Sequence, residues 1–197
     1  PLFTDEERKV VGTAYKQESR QKAIKIGLDY FGVKMRKMVE EAEQIVDTHN
    51  AAKRKKNDTT GSGKTVLVHC WRGGMRSGAV AWLLDLYGFE VYTLVGGYKT
   101  FRRWALDQFE KTYSFKVLGG YTGSGKTYLL DELLKKQENV IDLEGLAKHK
   151  GSAFGNLGMP AQPTQEQFEN LLALRLWTAS IKEQAIWVED ESQRIGD

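Results

Sequence analysis

The chain has 197 residues, 41% hydrophobic and 28% charged, with a net charge of +3, the balance of a soluble globular protein. No apolar run approaches the ~18 residues that span a bilayer, and Pro1-Leu2-Phe3 followed by an acidic helix start is not a signal peptide. A single cysteine forbids an internal disulfide and fits a reducing cytoplasm, where a lone thiol is either core filling or working chemistry.

Thr4-Asp5-Glu6-Glu7 reads as a capping box, so a first helix is expected to about Lys16. A second, long helical stretch is predicted from Ser19 to Asn50. Ile24, Leu28, Phe31, Met35, Met38, Ala42 and Ile45 recur there at three- and four-residue spacing, with Gly27 and Gly32 weakening its continuity. Lys53 to Gly63 is polar and reads as a loop. Val66 to His69 is a short buried strand ending at Cys70. A helix from near Arg76 turns Val80, Leu83, Leu84 and Leu86 inward and stops at Gly88. Val91 to Val95 is the next strand, Gly96-Gly97 a turn, and Tyr98 to Phe109 a helix. This alternation implies a parallel sheet.

A second unit is expected from residue 115, dividing the chain into 1–114 and 115–197. Phe115 to Leu118 is a strand, followed by a glycine-rich turn and a helix from Lys126 to about Gln137. Val140 to Leu143 is a strand and Gly151 to Pro163 a loop. Thr164 to Gln167 is a second capping box opening a helix to about Lys182, and Ile186 to Glu189 is the last strand. Residues 1–114 carry 20 Lys+Arg against 14 Asp+Glu, and 115–197 carry 9 against 12. A basic first part suits a polyanionic partner, and an ordinary solvated surface gives the same count.

His69-Cys70-Trp71-Arg72-Gly73-Gly74-Met75-Arg76-Ser77 is the first candidate site. A cysteine between a strand end and a helix start faces backbone N–H groups and the positive end of the helix dipole. Gly73 and Gly74 let the backbone form an anion-holding nest. Arg76 can grip a tetrahedral oxyanion with two donors, Arg72 adds positive charge, and Trp71 and Met75 complete the cradle. Such surroundings favour the nucleophilic thiolate over a buried structural thiol. Two chemistries remain open on these residues. Cys70, five residues, then Arg76 is the spacing of cysteine-dependent phosphatases, here joined to a nucleotide-binding module. A related loop in rhodaneses carries sulfur or selenium on the cysteine. A phosphatase also wants a general acid, and the sequence identifies none.

Gly120-Tyr121-Thr122-Gly123-Ser124-Gly125-Lys126-Thr127 matches G-x-x-x-x-G-K-[ST] in full, after a predicted strand and before a predicted helix. Backbone N–H groups of such a loop wrap a diphosphate, Lys126 meets the outer oxygens, and Thr127 can take Mg²⁺. Gly61-Ser62-Gly63-Lys64-Thr65 repeats five of these letters but precedes a strand and lacks the motif's first glycine, Asp58 standing in its place. It reads as a loop. Asp142, Glu144, Glu189 and Asp190 stand at strand ends, with Glu191 beyond. Parallel strands point such ends at the ligand crevice, so one of these acids is expected to hold Mg²⁺ or its bound water, the others being caps or solvated. His149 and Lys150 are weaker candidates for a phosphate contact.

With both loops in one chain, in this order, the sequence resembles the bacterial tRNA 2-selenouridine synthases along nearly its whole length. The most specific stretches are Cys70 to Ser77, Leu94-Val95-Gly96-Gly97-Tyr98 and Gly123 to Thr127, with His149 to Gly155 and Glu189 to Gly196 adding to them. The resemblance implies an α/β architecture: a rhodanese-like parallel-sheet domain lacking its first strands, then a P-loop NTPase-like domain that continues past Asp197. It further implies a cytoplasmic transferase acting on the wobble 5-substituted 2-thiouridine of tRNA. Selenophosphate supplies selenium, and geranyl diphosphate supplies a geranyl group to the sulfur on the way. Cys70 and its loop would then receive selenophosphate or carry selenium, and Gly120 to Thr127 would hold the diphosphate. The family pattern has tyrosine at His69 and arginine at Lys150, so both positions depart from it.

Overall fold

The computed structural model describes residues 1–55, 63–121, 123–149, 158 and 160–190. Expectations for 56–62, Thr122, 150–157, Met159 and 191–197 lie outside these. They include most of the loop around Gly61-Ser62, Lys150, much of the loop before Pro163, and Glu191 with the segment after it. The chain forms two compact units, Pro1–Thr100 and Phe101–Asp197. The division falls inside the helix that runs Gly97–Phe109, earlier in the chain than the composition change at residue 115. No helix among the described residues is long and apolar enough to cross a membrane.

In the first unit α1 (Asp5–Gln17) opens with the expected capping box. The Thr4 N–H donates to Glu7 Oε2 at 2.9 Å and the Glu7 N–H to Thr4 Oγ1 at 3.3 Å, satisfying two donors that a helix start leaves bare. The expected long second helix is two, α2 (Arg20–Gly32) and α3 (Met35–Lys55). Their break is built from Gly32, a poor helix residue, and from Lys34. The Lys34 ammonium pairs with Glu7 and reaches the Leu2 carbonyl at 3.5 Å, an attachment at the break that an apolar periodicity does not reveal.

Strands β1 (Thr65–Val68) and β2 (Glu90–Thr93) pair in parallel, Thr65 opposite Glu90 and Val68 opposite Thr93, with α4 (Met75–Tyr87) between them. Gly88 ends α4 at φ 103°, as a left-handed cap should. The core joins Val46, Leu84 and Phe89 to Val66, Val68, Val80 and Val91, so two alternate residues of β1 and Val91 of β2 meet apolar residues of α3 and α4. β2 ends two residues earlier than expected, leaving Leu94 and Val95 to lead into the Gly96-Gly97 turn and α5 (Gly97–Phe109).

The second unit holds β3 (Phe115–Leu118), α6 (Lys126–Lys135), β4 (Val140–Ile141), α7 (Leu143–Ala147), α8 (Gln165–Ser180) and β5 (Ile186–Glu189). The sheet order is β3-β5-β4, all parallel. β4 is shorter than expected because Asp142 caps a new helix: its Oδ1 accepts from the Gly145 N–H at 2.7 Å. Ile141, Leu176, Ala179 and Ile186 form the core. On α5, Arg102 pairs with Glu169 of α8 and donates to Asn170 at 3.0 Å, while Trp104 meets Trp177 edge-on at 5.9 Å.

Candidate functional site

Cys70 lies two residues past the end of β1 and faces the start of α4. Gly74, the residue before that helix, offers no side-chain cap, so the first-turn N–H groups are left for an anion. The Gly74 N–H donates to Cys70 Sγ at 3.3 Å, and the Ser77 hydroxyl lies 3.3 Å from the same sulfur and 3.0 Å from the Gly74 carbonyl oxygen, so its one proton can turn to the sulfur once the thiol ionises. Ser77 is buried at 3% exposure, which fixes its hydroxyl in place. Burial pushes the Cys70 thiol up. Hydrogen bonds from the Ser77 hydroxyl and from the N–H groups of Gly74, Ser77 and Arg72 outweigh it and bring the thiol down to about 6, from an ordinary 9.0. Cys70 is therefore largely thiolate at neutral pH.

The loop is held from below its own backbone by the turn after β2. A Cβ on Gly73, at φ 63°, would lie 2.8 Å from both Gly97 N and Leu94 O; one on Gly97, at φ 65°, would lie 2.2 Å from the Cys70 carbonyl oxygen. Two backbones thus touch where neither position tolerates a side chain. The first N–H groups of α5 tie down the other side: Tyr98 donates to Cys70 O at 2.9 Å and Lys99 to Trp71 O at 3.0 Å. Trp71, Arg72, Met75 and Arg76, on the same loop and helix start, are all exposed. The sequence did not assign roles to Ser77, Gly97 or Tyr98. The signal for the two last was the parallel pairing, which sets the loops after β1 and β2 side by side.

The second loop follows β3. Gly125, left-handed at φ 85°, precedes α6 and again supplies no side-chain cap. The Lys126 ammonium donates to the Gly120 carbonyl at 2.9 Å, which holds it against the loop it serves. Thr127 donates its hydroxyl to Glu144 Oε2 at 3.2 Å; the Glu144 N–H in turn donates to Glu189 Oε1 at 3.0 Å. Glu189, 2% exposed, ends the central strand β5 opposite Leu118. The structure therefore joins Thr127, Glu144 and Glu189 in one chain of contacts, places Asp142 as a helix cap, and leaves Asp190 exposed with its N–H on the Leu118 carbonyl at 3.0 Å. His149 is buried, its Nδ1 without a hydrogen-bond partner among the described residues. No group of three or more His, Cys, Asp or Glu side chains converges as a metal site among the described residues.

A family profile for the tRNA 2-selenouridine synthase AAA domain matches residues 113–197. Relatives named tRNA 2-selenouridine synthase match across the rest as well. That of Sulfurovum sp. (strain NBC37-1) is 44% identical over 89% of this chain and 44% of its own length. That of Hydrogenovibrio crunogenus is 40% identical over 100% and 52%. The chain belongs to the tRNA 2-selenouridine synthase family. The relative from Aeromonas salmonicida, at 40% identity, is covered over 49% of its length, so the chain spans about half of the curated synthases it matches. A solved structure described as the N-terminal domain of an ATP/GTP binding protein from Clostridium difficile 630 is similar over 54% of this chain and 71% of its own, with 34% identity and a TM-score of 0.44.

Proposed function

We propose that the chain carries two anion sites that act on one tRNA. The Cys70 loop, in a rhodanese-like unit, handles selenophosphate, and the 120–127 loop holds the diphosphate of geranyl diphosphate. Together they replace the sulfur of a wobble 5-substituted 2-thiouridine by selenium, in the cytoplasm, through a geranylated base. The observation that supports this most directly is the Cys70 sulfur held by the Gly74 N–H and the Ser77 hydroxyl, ahead of a full phosphate loop in the same chain. The relatives' shared name supplies the tRNA.

The chemistry divides between the loops. In the first step the base sulfur attacks C1 of the geranyl group, the C–O bond breaks and diphosphate leaves. Backbone N–H groups from Gly123 to Thr127, with the Lys126 ammonium, stabilise the charge that develops on it. Thr127 and Glu144 would hold Mg²⁺ against the diphosphate, and the ion would neutralise part of that charge. In the second step a selenium nucleophile adds at C2 of the pyrimidine and the alkylated sulfur leaves as geranylthiolate, a better leaving group than the bare sulfur it replaces. Cys70, ionised at neutral pH, attacks the phosphorus of selenophosphate; the P–Se bond breaks and hydrogen selenide ion leaves as the nucleophile of the second step. Water then hydrolyses the S-phosphocysteine to free thiol and phosphate. The Cys70 loop, with Arg72 and Arg76, holds the donor's phosphoryl oxygens.

Incubation with selenophosphate, geranyl diphosphate and thiolated tRNA, followed by nucleoside mass analysis, tests the reading. Cys70→Ala should halt at the geranylated base and Lys126→Ala at the unaltered 2-thiouridine. Equal conversion by Cys70→Ala would remove the role given to the thiol. The Ser77 contact also suits a cysteine-dependent phosphatase, since a hydroxyl there steadies a departing thiolate. Neither 69–77 nor 94–100 contains an Asp or Glu to protonate an alkoxide, and Cys70-dependent hydrolysis of an aryl phosphate would favour that alternative.

A further inference from the structure

An exposed tryptophan by itself is ordinary. Trp71 is different in its surroundings. It follows the reactive cysteine directly, is 53% exposed, and its ring lies 5.6 Å from that of Tyr98 at 39°. Tyr98 in turn lies 6.3 Å from the exposed His69 ring at 32°. Three rings therefore form a row on the two residues flanking Cys70 and on the helix that anchors it. The row is held by the main chain, because the N–H groups of Tyr98 and Lys99 fix the carbonyls of Cys70 and Trp71. A ring ordered before binding loses little entropy when a ligand arrives.

The charged residues on the two segments that carry this row have one sign. Arg72, Arg76 and Lys99 are exposed, and the Arg20 guanidinium reaches Met75 Sδ at 3.7 Å. Segments 69–77 and 94–100 contain no acid. Open aromatic faces among cations are how proteins hold unpaired bases, the rings stacking on the base and the cations meeting its phosphates. An isoprenoid tail would be better served by an enclosed apolar groove than by an open ring fringed with charge. We propose that Trp71, backed by Tyr98, is a stacking platform for an unpaired nucleobase in an RNA loop, delivering that base to the Cys70 sulfur. This rests on the tRNA reading above and adds to it the place where the base sits.

The test uses an anticodon stem-loop RNA with 2-aminopurine at the wobble position, titrated by fluorescence. Wild type should bind and quench the probe. Trp71→Ala should lose the quenching and weaken binding roughly ten- to hundredfold, the effect of removing one base–aromatic stack. Trp71→Phe should restore most of both, since it keeps a ring, and an abasic wobble position should bind wild type as weakly as the intact RNA binds Trp71→Ala. Unchanged quenching and affinity in Trp71→Ala would overturn the platform and leave the tRNA reading standing. Quenching displaced by geranyl diphosphate while the RNA stays bound would overturn it in favour of the prenyl chain. Failure of wild type to bind the stem-loop at all would overturn the tRNA reading and the platform with it.

Discussion

Gly97 approaches Cys70 so closely that a Cβ on it would sit 2.2 Å from the Cys70 carbonyl oxygen and 2.3 Å from Gly73 N. The turn after β2 is thus the wall against which the cysteine loop is formed. Gly97→Ala must either strain a left-handed backbone or push the loop away. It should destabilise the protein by at least about 2 kcal/mol, read from denaturant melts. It should also return Cys70 alkylation toward that of an ordinary thiol. A variant with unaltered melting and thiol reactivity would show that the loop does not lean on this turn.

With its thiol at about 6, Cys70 should react with iodoacetamide at a rate that rises through pH 6 and levels off above pH 7. An ordinary thiol still climbs at pH 8. Ser77→Ala should move the midpoint upward and Ser77→Thr should hold it near the wild-type value, because only the hydroxyl matters. The sign for stability follows from linkage. A group whose ionisation is easier in the folded state than in the unfolded one stabilises the fold as pH rises. Wild type should therefore gain on Cys70→Ala between about pH 6 and 9, reach its full advantage above 9, and lose it below 6.

Lys126 makes its contact with the Gly120 carbonyl at 2.9 Å, within reach of whatever the loop encloses. Removing it as Lys126→Ala should weaken binding of inorganic diphosphate about ten- to hundredfold by calorimetry, the scale of one or two charge-assisted hydrogen bonds. Equal affinity would mean that the main-chain N–H groups alone hold the anion.

Glu189 is buried at the end of the central strand and accepts the Glu144 N–H at 3.0 Å. Glu189→Ala leaves that donor without its carboxylate and should lower stability by about 1–3 kcal/mol. Glu189→Gln, which keeps an oxygen of the same reach, should cost less. If Ala and Gln behave alike, the link between β5 and α7 contributes nothing.

Much of the fold was legible in advance, for identifiable reasons. Thr4 and Thr164 announced helix starts because a capping hydroxyl bonds an N–H three residues on, a local matter. Gly88 announced a helix end for the same kind of reason. The break at Gly32 and Lys34 was not legible as a break, because Lys34 is held by Glu7 and Leu2, about thirty residues away. Leu143 was read as strand because its apolar neighbours fit either period, and the Asp142 cap decided for helix.

The same division holds at the sites. The order of residues alone determined where the thiol and the glycine-rich loop stand, since each is a short run whose strand-to-helix setting is written beside it. Only the folded arrangement decided that Gly97 walls the thiol loop, that Tyr98 backs Trp71, and that Glu189 reaches Glu144. Those contacts depend on which strands lie side by side and in what register, a matter settled by packing against the helices and carried by no single stretch of chain.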